Sequence, residues 1–207
     1  GTVNWSKTYN TILNVDRIAG IQLSNGGYAF TGLVEFSDFD AKQYIAPTKE
    51  QGIDEVQTFQ KPWLKVNAAG TLPTGIIVVE TDASGNIVME KEYTVSGNVD
   101  CFGTSIIEAQ DGGYLIGGYT IDIGATGFDY HITARKINST GGVQWSRNFQ
   151  AFDSFFDVKV AQLDNGNFVV TGTNSLDPGT DSRMINYFLN EDGTSVETHE
   201  YGVTGLN

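Results

Sequence analysis

Short runs in which apolar and polar residues alternate follow one another along most of the chain, separated by glycine-bearing turns. One kind of turn is Asn25-Gly26-Gly27-Tyr28, which returns as Asp111-Gly112-Gly113-Tyr114 and, altered, as Asn165-Gly166-Asn167-Phe168. Alternation with a period of two places every second side chain on the same face of a strand. Asn-Gly or Asp-Gly between two such runs is a strong hairpin signal, because these residues supply the positive φ of a tight turn. The pattern predicts paired strands over residues 18–23 and 28–34, 104–109 and 114–119, and 157–163 and 168–173. After each turn, at one constant distance, stand Thr31-Gly32, Gly117-Gly118 and Thr171-Gly172.

Further along, residues 76–80, 130–137 and 184–189 read as third strands. Each runs into a polar glycine turn, at 81–85, 138–141 and 190–193, and a fourth strand follows over 87–93, 143–149 and 195–201. Trp5-Ser6-Lys7-Thr8-Tyr9 matches Trp145-Ser146-Arg147-Asn148-Phe149 and reads as a fourth strand with no unit before it. No stretch holds a 3.6-residue apolar period over ten or more positions, so helix is expected to be minor. The chain is thus expected to be a single all-β repeat domain with units over 10–93, 94–149 and 150–201, the first interrupted by an insertion at 35–74. Such a unit cannot bury its apolar face alone and has to stack on its neighbours.

Four antiparallel strands recurring about every 50 residues are the signature of a β-propeller blade. Asp111 to Tyr119, Gly127-Phe128-Asp129-Tyr130, Lys136-Ile137-Asn138 and Gly141-Gly142-Val143-Gln144-Trp145-Ser146 carry a closer likeness. This series resembles the "DGGY…G…D…K-D-G-W" blades of secreted and surface propeller proteins common in Bacteroidetes and related bacteria. The resemblance spans nearly all the chain outside the insertion and is most specific in the second unit. It implies an exported, extracytoplasmic propeller, of a kind usually without an assigned biochemical role. Three units and a leading strand are fewer than the four to eight blades with which propellers typically close. The chain is therefore expected to be one segment of a longer propeller or to complete a ring as a homo-oligomer, with threefold closure of β-trefoil type as the alternative.

Composition narrows the partners. In 207 residues, 40% hydrophobic and 12% aromatic content suffices for a packed core, while 25 Asp+Glu against 12 Lys+Arg leave a formal charge of −13. That charge repels phosphate backbones and anionic lipid surfaces, so nucleic acid is not an expected partner. No run approaches the roughly 20 apolar residues of a membrane-spanning helix, and the first residues lack the basic and apolar regions of a signal peptide. Cys101 is the only cysteine, which excludes an internal disulfide and a thiolate metal cluster and suggests a small buried side chain.

The insertion is the most individual stretch, and long loops on rigid β scaffolds often carry function. Within it Trp63, Tyr44 and Phe39, with Asp38 and Asp40, form the candidate ligand site, since aromatic rings stack on sugars or on a partner's apolar groups. The competing reading is that these rings pin the loop to its sheet. A carbohydrate or protein partner follows from the first reading. The leading expectation is a non-enzymatic binding or scaffold module. The alternative is a carbohydrate-active enzyme of glycoside hydrolase type, using Asp38 with Asp40 or Asp54 with Glu55, or loop carboxylates near Asp122 and Asp129. No catalytic residue is assigned: His131 and His199 fall within strands, without a metal-binding partner at i+4 or a Gly-x-Ser-x-Gly elbow. No cofactor is expected. The Asp/Asn/Gly turns lack EF-hand spacing, which leaves Asp129 and Asp181, at matching places in two units, as weak candidates for Ca2+.

Overall fold

A computed structural model of the chain describes residues 6–7, 14–35, 74–94, 99–124, 127–151, 157–175 and 182–202. They form twelve strands and, among the described residues, no helix. The first sheet comprises β1 (Asn14–Gln22), β2 (Tyr28–Glu35), β3 (Thr74–Thr81) and β4 (Ile87–Tyr93). The second comprises β5 (Val99–Glu108), β6 (Tyr114–Gly124), β7 (Gly127–Ile137) and β8 (Val143–Ala151), and the third β9 (Lys159–Gln162), β10 (Phe168–Ser175), β11 (Ser182–Leu189) and β12 (Ser195–Gly202). Each sheet is an antiparallel meander in which chain order equals spatial order.

The all-β expectation and the four-strand unit hold. Two first strands start earlier than alternation indicates, at Asn14 and Val99. The ladder register shifts between Asp16 and Ala19 in β1 and between Gly103 and Ser105 in β5. A bulge moves the inside-outside phase by one residue, so the pattern breaks although the pairing continues.

Among the described residues, the six turns that join first to second and third to fourth strands have one design. In the first, Gly26 N–H donates to Leu23 O (2.9 Å) and Leu23 N–H donates to Gly27 O (2.8 Å), closing a three-residue loop. The glycine takes a positive φ in every case, from 76° at Gly112 to 87° at Gly26 and Gly166. Side-chain oxygens secure the same turns: Asn25 Oδ1 accepts from Gly27 N–H (2.8 Å), and Asp111 Oδ1 from Gly113 N–H (2.9 Å).

The sheets pack face to face in chain order. Call the face of each sheet turned toward the next its forward face, and the opposite one its rear face. Ala29, Ile76, Val78 and Tyr93 on the forward face of the first sheet meet Cys101, Ile106, Tyr114, Ile116 and Ile137 on the rear of the second. Leu115, Ile132, Ala134 and Trp145, forward on the second sheet, meet Val158, Phe168, Val170, Ile185 and Leu189 on the rear of the third. Successive residues Tyr114, Leu115 and Ile116 therefore enter two different cores and are all buried. Burial of such side chains contributes roughly 1.5–3 kcal/mol each.

The repeated motif has a double task. Asp111 accepts two hydrogen bonds from Lys136 Nζ, at 2.8 and 2.7 Å, and this ammonium, almost wholly buried, also donates to Gln144 Oε1 (2.9 Å) and Ile137 O (3.2 Å). A Cβ on Gly113 would come within 2.2 Å of Ile137 O and 2.8 Å of Lys136 Nζ, so only glycine leaves room for this clamp. Burial works to raise the pKa of Asp111, but the Lys136 and Gly113 hydrogen bonds outweigh it and hold the carboxyl below its ordinary range. Tyr114 instead points back into the joint with the first sheet. Its hydroxyl is raised in pKa, first by burial and then by a hydrogen bond to Glu80 of β3.

Candidate functional site

The β1–β2 and β3–β4 turns lie at one end of each sheet, and the β2–β3 connections with the links between units lie at the other. The insertion belongs to this loop end. Pairing of β2 with β3 runs unbroken to Glu35 opposite Thr74, so residues 35 and 74 stand side by side at the insertion's root. Thr74 Oγ1 accepts the Cys101 N–H at 3.0 Å, which ties that root to the start of β5 in the second sheet. Trp63, Tyr44, Phe39, Asp38 and Asp40 lie outside the described residues, as do Asp54, Glu55 and the weak metal candidate Asp181.

The second sheet brings its own acidic pair to the same end. Asp122 near the end of β6 stands opposite Asp129 near the start of β7. His131 Nε2 lies 3.4 Å from Asp122 Oδ2, with both groups partly exposed. Asp129 is exposed, and no group of three or more His, Cys, Asp or Glu residues suited to a metal ion occurs among the described residues. His131 and His199 lie within strands β7 and β12, as their sequence positions indicate.

Trp145 serves packing, in keeping with its repeat position: it is buried, and its Nε1–H donates to Glu191 O of the third sheet at 2.8 Å. Cys101 is buried. Trp5 lies outside the described residues.

Sequence reasoning passed over the forward face of the third sheet. Met184, Phe188, His199 and Tyr201 share this face by register, Met184 opposite Tyr201 and Asn186 opposite His199. His199 packs edge-on against Phe188 (centroids 5.5 Å apart) and stacks on Tyr201 (6.1 Å). Its Nε2 lies 2.5 Å from Glu197 Oε1, and its Nδ1 lies 3.3 Å from the Tyr201 hydroxyl. Aligning the three units would have exposed this face, since Met184 falls where Ile76 and Ile132 are buried and Tyr201 where Tyr93 and Phe149 pack.

No protein-family model matches the chain, and no curated protein sequence is significantly similar to it. No helix among the described residues is long and apolar enough to cross a membrane.

Proposed function

We propose that the chain is a non-enzymatic binding or scaffold module of an exported bacterial protein of propeller type, whose stacked sheets present the 35–74 insertion to a carbohydrate or protein partner. The observation that carries this reading is the root of the insertion. A ladder paired to its last residue, Glu35 with Thr74, holds both ends of a long aromatic-rich segment on a rigid platform. Propeller-type arrangement draws support from three separate four-stranded meanders packed face to face, whereas a β-trefoil would be built around a common barrel. Export and extracytoplasmic location rest on the likeness of the Asp-Gly-Gly-Tyr repeat to surface propellers. Further units or further copies would complete a ring.

Titration against a panel of polysaccharides tests the binding role. Trp63→Ala with Tyr44→Ala is expected to weaken any detected binding at least about tenfold, the loss expected for one or two stacking rings. Binding that survives this double change at full strength sinks the insertion as the ligand platform.

A further inference from the structure

We propose that the forward face of the third sheet is a docking surface for a further four-stranded unit of this same repeat, seated as the third sheet is seated on the second. The inference rests on the blade reading above and adds a particular surface and the chemistry of its occupant.

Equivalent positions make the case. Ile76 and Ile132, at one forward position of β3 and β7, are 1% and 0% exposed, whereas Met184 at the same place in β11 is 44% exposed. One turn of alternation further on, Val78 and Ala134 are buried, and Asn186 in their position keeps a buried Oδ1 with no hydrogen-bond partner. At the end of the fourth strand Tyr93 lies under the Arg135 guanidinium (5.3 Å), and Phe149 stacks on Tyr187 (centroids 4.1 Å apart). Tyr201 holds that position in β12 and is 49% exposed.

Polar joints repeat as well. Across the first joint Tyr93 hydroxyl donates to Gly141 O (2.9 Å), and across the second Arg147 Nε donates to Gly193 O (2.8 Å). Both acceptors sit in the β3–β4-type turn of the following sheet. His199 occupies the Arg147 position and awaits such a turn. At the other turn, Glu108 accepts from Ser24 N–H (2.7 Å), and Gln162 accepts from Gln110 N–H (2.8 Å). Asp164 is the next residue in that series.

The occupant is accordingly a sheet whose rear face carries a glycine-bearing turn for His199, a side-chain acceptor ending its first strand, and a large or cationic side chain over Tyr201. A second copy of this chain is the poorer fit. Ile77 and Val79 on the rear face of its first sheet are already buried, and Lys7 Nζ donates to Asn86 Oδ1 (2.5 Å) in the place a preceding unit would use.

Appending a duplicate of residues 152–202 after residue 202 of the full chain tests this, with Leu at the duplicate's own Met184 position. Peroxide oxidation of the original Met184, followed by mass spectrometry with Met89 as internal reference, reports coverage of the face. The expected result is a folded appended unit and at least about tenfold slower oxidation of Met184 than in the unextended chain. Tyr201→Arg is expected to restore the oxidation rate in the extended protein while leaving the circular dichroism of the unextended chain unchanged. An appended unit that stays unfolded, or that folds and leaves Met184 as reactive as before, overturns the proposal. So does self-association of the unextended chain that Met184→Lys abolishes, because the occupant is then a second copy. Loss of polysaccharide binding has no bearing on these readouts, so failure of the ligand role and failure of the docking face are told apart.

Discussion

Lys136 shows how one side chain ties a motif together. Its ammonium is buried and fully engaged by Asp111, Gln144 and a backbone carbonyl, so removing its carboxylate partner leaves an underpaired charge in the core. Asp111→Asn is expected to cost about 2 kcal/mol in urea unfolding, less than for a fully buried pair because the Asp111 side chain is half exposed. The pH dependence follows from the lowered pKa of Asp111. A carboxyl whose pKa is lower folded than unfolded stabilises the fold above its unfolded value, near 3.9, and loses that contribution as pH falls through the folded value. Asp111→Asn should therefore flatten part of the stability loss below about pH 4 while leaving its slope near neutrality unchanged. The turn glycines differ among themselves. A Cβ on Gly112 would meet nothing within 4 Å, whereas on Gly193 it would come within 2.6 Å of the Trp145 ring. Both have positive φ, so Gly112→Ala should cost about 1 kcal/mol from backbone strain and Gly193→Ala about twice that or more, compared by their urea midpoints.

At the scale of elements, the fourth strands β4 and β8 also reach across the joint to the next sheet. β8 sends Trp145 Nε1–H and Arg147 Nε to carbonyls of the β11–β12 turn, and Trp145 packs edge-on against Phe168 (5.9 Å). Trp145→Ala should destabilise by about 3 kcal/mol through cavity formation and the lost hydrogen bond. Hydrogen exchange should show the loosening in both β8 and the third sheet, not in the first. A uniform effect over all three sheets would mean that the joints are not the units of cooperativity. Tyr93→Phe removes only the hydroxyl bond to Gly141 O and should cost about 1 kcal/mol. Alternation made these strands legible, and the turn residues placed their ends within a few positions. The bulged starts of β1 and β5 were not legible, because a bulge reverses the face on which each later residue falls.

For the whole molecule, 25 Asp+Glu against 12 Lys+Arg leave a formal charge of −13. Self-repulsion of this kind destabilises a compact state and is screened over a Debye length of about 8 Å at physiological ionic strength. Raising sodium chloride from about 0.02 to 0.5 M should lift the thermal midpoint by a few degrees. A midpoint that falls would show that attractive pairs such as Lys159 with Asp157 outweigh the repulsion.

The residue string carried the twelve strands of the three units, the hairpin turns and the four-strand unit, because these depend on side-chain alternation and backbone φ, which act between near neighbours. It also marked Trp145 as a packing residue through its repeat position. It did not disclose that Tyr114 and Leu115 serve two separate cores, that Lys136 is buried behind Asp111, or that Met184 and Tyr201 stand uncovered where Ile132 and Phe149 are packed. Those facts depend on which sheet lies against which face. A buried Ile and an exposed Met at equivalent positions have the same local pattern, and only the presence or absence of a neighbouring sheet separates them.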